Sequence, residues 1–173
     1  MNLSNIFKFV FHSLVLLIVQ LFIFRDYAIF GLIFSFVHVG IIIFMPTDTP
    51  VMLAMIIAFF VGYITDAFYD TLGIHAAALV LLAYVRPYIV KSISDQGEIK
   101  NMQEYTVGTG GAMWFFQLVF IHTLLFSVMV FFLESMSLSI LLRTLVKIVF
   151  TTIFTSGLLT MYSYLWMSSK RSR

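Results

Sequence analysis

Six ionisable side chains stand inside or beside stretches apolar enough to lie in a membrane: His12, His38, His75, His122, Asp66 and Asp70. A charge at that depth costs several kcal/mol on insertion scales, so each position marks either chemistry or specific packing. Asp66 and Asp70 are four residues apart and share a helix face. His75 opens the next apolar run and can meet them across the turn. Three arrangements suit this group. Asp66 can hydrogen-bond across helices while Asp70 caps the following helix. Asp66, Asp70 and His75 can ligate a cation, since imidazole suits zinc and carboxylates suit hard cations. The two carboxylates can also share a proton for hydrolysis, although residues four apart on one helix do not converge on a substrate from opposite sides. His38 and His122 could hold a haem between helices, but an isolated membrane histidine commonly hydrogen-bonds to a neighbouring helix. The same reading covers His12 and Gln20, eight residues apart on one face. Cysteine is absent, which removes thiolate metal sites and thiol nucleophiles. The residues therefore call for no catalytic group, metal or cofactor.

Two further polar features have simple readings. Lys147 follows Arg143 by four residues, and both can snorkel toward headgroups with Glu134 across the loop. Gly108-Thr109-Gly110-Gly111 lacks the Gly-Lys-Ser/Thr and the preceding strand of a phosphate loop, which leaves a flexible hinge.

The elements that carry these residues follow from composition. The chain has 173 residues, 61% hydrophobic and only 10% charged, against roughly a quarter charged in a soluble domain. Such a chain cannot wet its own surface and reads as an integral membrane protein. Runs such as Val15–Val19 are apolar on every side, unlike the alternation of a membrane β-barrel. Ten basic residues are scattered rather than clustered, which argues against nucleic acid as a partner. The expected fold is all-α, a single transmembrane domain over 1–173 with six spans near 6–24, 27–45, 51–69, 72–90, 112–133 and 145–166. Helices three and four form a tight hairpin, and 91–111 is the one substantial polar loop. No small-x-small cleavage site precedes Arg25, so the first run is a retained span rather than a signal peptide. With both termini cytoplasmic, Lys8, Arg86, Lys91, Lys100, Lys170, Arg171 and Arg173 lie inside, against Arg25, Arg143 and Lys147 outside. That bias sets the orientation, and the basic tail then lies on the anionic inner leaflet.

Residues 52–90 carry a recognisable pattern. Gly62-Tyr63-Ile64-Thr65-Asp66, then Leu72-Gly73-Ile74-His75-Ala76-Ala77-Ala78-Leu79, then Leu82-Ala83-Tyr84-Val85-Arg86, resembles the central hairpin of the bacterial rod shape-determining MreD family. The matching positions are Gly62, Asp66, Gly73 and Arg86; Asp70 and His75 are possible ligand or partner contacts outside the pattern. The resemblance implies a non-enzymatic, multi-pass inner-membrane scaffold of the cell-elongation complex that supports peptidoglycan synthesis and the regulation of cell shape. The partners it implies are an MreC-like bitopic protein, a RodA-like polymerase with its transpeptidase and, indirectly, MreB. It also implies a bundle like the S components of energy-coupling-factor transporters, which leaves a small-molecule-binding S component as the alternative. The first span, however, has no Ala-x-x-x-Ala for docking an energising partner. In physical terms Gly62 lets two helices approach, Asp66 needs a partner on another helix, and Gly73 permits the turn. Trp114, Phe115, Phe116, Phe120, Phe126, Phe131 and Phe132 give the fifth span a broad apolar area for membrane lipids or partner helices.

Overall fold

The structure is a computed structural model that describes residues 3–25, 31–94, 104–135 and 141–166. Among these residues it is mainly helical, with no regular strand. Helix α1 (Leu3–Ile18) runs into a π-helical turn (Val19–Ile23) and is followed by α2 (Val39–Ile43), α3 (Val51–Tyr69) and α4 (Ile74–Ile93). A single turn, α5 (Val107–Gly110), precedes α6 (Ala112–Ser135) and α7 (Leu141–Trp166). Five helical stretches among the described residues are long and apolar enough to cross a membrane: Asn5–Ile23, Val51–Tyr69, Ile74–Ile93, Ala112–Glu134 and Leu142–Trp166. Length and composition make this a multi-pass α-helical membrane protein. Helix α1 is the peripheral one, with Phe7, Phe11, Leu14, Ile18 and Phe22 exposed.

The expected second span, 27–45, is not a regular helix. Residues 26–30 lie outside the described residues, 31–38 form turns and irregular chain, and only Val39–Ile43 is helical. Yet every residue from Ser35 to Pro46 is buried. Irregular backbone is tolerated in a membrane protein only where other protein groups satisfy it, and here α7 does so. The Phe34 N–H donates to Thr151 Oγ1 at 3.1 Å, and the Phe36 N–H donates to Thr155 Oγ1, one helical turn on, at 3.1 Å. From the π-helical turn, Gln20 Nε2 donates to the Ser35 carbonyl at 2.9 Å and to the Tyr69 hydroxyl at 2.6 Å. The π-helical turn sets Gln20 facing inward, fully buried. The irregular segment then descends beside α7 until the Phe44 ring lies 5.8 Å from Phe115 in a stacked pair and 5.9 Å from Tyr162.

The polar loop expected over 91–111 is helical in part at both of its described ends, while 95–103 lie outside the described residues. Helix α4 runs on to Ile93, and the Gly108–Gly111 stretch expected as a free hinge forms most of α5. Thr106 and Thr109 cap that turn reciprocally. Its first N–H, at Val107, donates to Ser163 Oγ on α7 at 3.1 Å. Of the segment before the last span, Leu141–Arg143 belongs to α7, while 136–140 lie outside the described residues.

The hairpin of α3 and α4 has the closest seam. Ala54, Ala58 and Gly62 recur every fourth residue along the buried stripe of α3, one turn apart, and lead to Asp66. A Cβ at position 62 would overlap the backbone of Ala76, with the Ala76 nitrogen only 2.6 Å away. Gly157, on α7, has open space around it. Gly62→Leu is therefore expected to lower stability by roughly 1–3 kcal/mol through overpacking. Gly157→Ala should raise it by about 0.5–1 kcal/mol through helix propensity. Denaturant unfolding followed by circular dichroism in one detergent compares the two. A second expectation concerns Thr155→Val, which strands the Phe36 N–H and should cost about 1–3 kcal/mol. Thr155→Ser, which keeps the acceptor, should recover most of that loss in the same assay.

Candidate functional site

Helix α4 begins without a cap of its own. Its N-cap position is Gly73, at φ +85°, which has no side chain to offer the exposed N–H groups of the first turn. Asp66, one turn from the end of α3, fills that role from outside the helix. Its Oδ1 accepts the His75 N–H at 3.0 Å, and its Oδ2 accepts the Ala76 N–H at 2.9 Å. The imidazole Nδ1–H of His75 donates to the same Oδ1 at 3.0 Å, and the Thr71 hydroxyl donates to it as well. The carboxylate is 4% exposed and lies at the positive end of the α4 dipole, where a negative charge is favoured. The Gly62-x-x-x-Asp66 spacing has a direct mechanical meaning. Gly62 brings α4 to van der Waals distance, and one turn later Asp66 reaches its amides.

Asp70 does not join this group. It ends α3 in the left-handed region at φ +54°, and it is exposed. The expectation that Asp70 caps the following helix is thus corrected: Asp66 makes the cap, because the left-handed turn at Asp70 folds the chain back before α4 begins. The pairing of the two carboxylates, and a cation held by Asp66, Asp70 and His75, also fail to assemble. Both Asp66 oxygens face the start of α4, and no group of three metal-ligating side chains gathers among the described residues.

Arg86, counted above among the end-of-span cations, is only 6% exposed and points into the bundle. One nitrogen of its guanidinium donates to the Met45 carbonyl and, at 3.5 Å, to the Ile43 carbonyl. These oxygens close the C-terminal end of α2, where cations are favoured. The guanidinium also lies 4.9 Å over the Tyr105 ring. Burial pushes the Tyr105 phenol above its ordinary pKa, against the opposing pull of Arg86. Gly62, Asp66, Gly73 and Arg86 thus meet in one device: α4 receives a carboxylate at its start and lends a guanidinium to α2 near its end.

The histidines divide. His12 Nδ1 is 2.7 Å from the Tyr162 hydroxyl, the interhelical bond expected of it. His122 donates from Nδ1 to its own helix, at the Leu118 carbonyl, at 2.7 Å. His38 is fully buried among the rings of Phe36, Phe126 and His75, with centroids 6.1, 5.2 and 5.9 Å away. Its two ring nitrogens have no protein partner. Lys147 departs from simple snorkelling: its ammonium lies 5.3 Å from the Phe34 centroid and 5.7 Å from that of Phe131.

Next to the cap is a cavity of about 150 Å3 lined by Arg25, Phe34, Phe36, Tyr69, Thr71, Ile74, His75, Val130, Phe131 and Glu134. Of Gly62, Asp66, Asp70, Gly73, His75 and Arg86 only His75 lines it. The hydroxyl stripe of α7 was not singled out at all. Thr151, Thr152, Thr155, Ser156 and Ser163 are all buried. Their recurrence at steps of one, three and seven residues is the signal that marks one polar face.

Comparison of the chain with protein-family models, with curated proteins and with solved structures finds no match in any of the three. The geometry itself separates the two aspartates by substitution. Asp66→Asn loses one acceptor and should cost about 1–3 kcal/mol. Asp70→Asn, equally at ease in the left-handed region, should stay within about 0.5 kcal/mol of the parent. Equal losses for both in detergent unfolding would refute the cap.

Proposed function

We propose that this chain is a non-enzymatic scaffold of the bacterial cell-elongation machinery, the role implied by its resemblance to the MreD family. One observation carries the reading: all four pattern residues are occupied in building the α3–α4 hairpin and anchoring α2, and none is presented to a substrate. The carboxylate of Asp66 has both oxygens engaged by backbone and side-chain donors. The face of α3 away from the α4 seam is apolar and exposed, with Met52, Ile56, Phe59, Phe60 and Tyr63 along it. A rigid hairpin with such a face suits another transmembrane helix, held by van der Waals packing.

On this reading the protein sits in the bacterial inner membrane with both termini cytoplasmic. It crosses six times, one crossing being the broken segment around α2. Its partners are an MreC-like bitopic protein and a RodA-like polymerase with its transpeptidase, linked indirectly to MreB, in support of peptidoglycan synthesis and cell shape. A second reading, a small-molecule-binding membrane protein like an S component, is favoured by the cavity beside His75 and by a discontinuous helix at depth, a feature of transporter sites.

Purification from native membranes in mild detergent, with mass spectrometry of the co-purifying proteins, distinguishes the two. The scaffold reading expects the bitopic protein and the polymerase pair, and weaker recovery of both from Asp66→Ala than from Asp70→Ala at equal expression. Recovery of ATPase and coupling subunits in their place would overturn it.

A further inference from the structure

We propose that His38 and His75 together bind one copper(I) ion in two-coordinate geometry, at a buried site beside the cavity of the α3–α4 turn. The inference stands independently of the scaffold reading. It starts from the nitrogen lone pairs. A neutral imidazole has one N–H and one unprotonated nitrogen. The Asp66 carboxylate can only accept, and its Oδ1 lies 3.0 Å from His75 Nδ1, so the proton of His75 is on Nδ1 and its lone pair is on Nε2. The His75 ring lines the cavity. His38 is fully buried, and neither of its nitrogens has a protein partner. Its neighbours include the rings of Phe36 and Phe126, with centroids 6.1 and 5.2 Å away in edge contacts. An aromatic face carries negative charge and can receive an N–H, but it repels a lone pair. The unprotonated nitrogen of His38 therefore needs an electron acceptor, in surroundings where an unmet polar group is costly.

The two imidazoles are near neighbours, with centroids 5.9 Å apart and planes inclined at 56°, and no hydrogen bond joins them. An ion held in line about 2 Å from one nitrogen of each ring sets the centroids about 6 Å apart. The observed spacing matches that of two rings sharing one ion. Its identity follows from donor number, donor type and charge. Imidazole suits zinc, copper, iron and nickel. Zinc takes four ligands, and no group of three ligating side chains forms among the described residues. Copper(I) is content with two nitrogen donors in line. Its single positive charge is matched by the single negative charge of Asp66, which holds His75 from behind as a carboxylate orients a metal-bound histidine. A divalent ion would leave one charge over among phenylalanine rings, where an unpaired charge is unfavourable.

The test uses the full chain in detergent, metal-free and under anaerobic ascorbate, titrated with copper(I) in competition with the chromophoric chelator bicinchoninate. X-ray absorption at the copper edge then reads the donors. One ion per chain is expected, with two nitrogen neighbours at about 2 Å and no sulfur. The affinity should fall by at least about tenfold in His38→Leu and in His75→Gln. It should persist in His12→Gln, whose histidine bonds to Tyr162 instead. Thermal unfolding of the metal-free variants checks that both fold: His38→Leu leaves no lone pair unmet, and His75→Gln keeps an N–H for Asp66. Absence of stoichiometric binding overturns the proposal and leaves a water molecule donating to both nitrogens as the occupant. Sulfur in the copper shell, from any of the ten methionines, overturns it as well, as does an affinity that either substitution leaves intact.

Discussion

The structure depends on one constraint: inside an apolar bundle every backbone amide and carbonyl must find a partner within the protein. A straight helix meets it alone, except in its first and last turns. This chain contains several such ends at depth, and each is closed by a side chain from elsewhere. Asp66 of α3 serves the start of α4, Arg86 of α4 serves the end of α2, and Ser163 of α7 serves the start of α5. Thr151 and Thr155 take the amides of the irregular segment before α2. Polar residues in the interior are thus hardware of the backbone first, and only those left over are candidates for anything else.

That ordering separates the ionisable residues by use. Asp66 is committed through both oxygens and Arg86 through one guanidinium nitrogen, and their charges match the helix ends they serve. His75 is committed on one side only: its Nδ1 is tied to Asp66 while the ring reaches the cavity. Arg25 and Glu134 bring exposed opposite charges to that same cavity. The rigid hairpin and the small, mainly apolar space beside it are therefore neighbours by construction, since the turn that Gly73 permits also forms one wall of the cavity.

Much of this was legible in the sequence. The α3–α4 hairpin, its boundaries and the importance of Gly62, Asp66 and Gly73 follow from a glycine, an acid and a turn placed between two apolar runs. What the sequence hid was the break in the second span. Val39–Ile43 and its flanks are as apolar as any regular span, and hydropathy does not distinguish a helix from irregular chain whose amides are satisfied elsewhere. The acceptors for Phe34 and Phe36 lie 117 and 119 residues further along the chain. Nothing local marks such a pairing. Arg86 misled for the same reason: a basic residue near the end of a span reads as an interfacial anchor until the carbonyls it serves are seen.

The distance in sequence between the broken segment and its hydroxyl acceptors also has a consequence in time. At about 5–20 residues per second of synthesis, the segment around Phe34 precedes Thr151 by roughly ten seconds. During that interval its amides have no hydroxyl from α7 to receive them. The only local way to satisfy them in lipid is a regular helix, the conformation its composition favours. The broken form therefore cannot gain these two acceptors until α7 has been made.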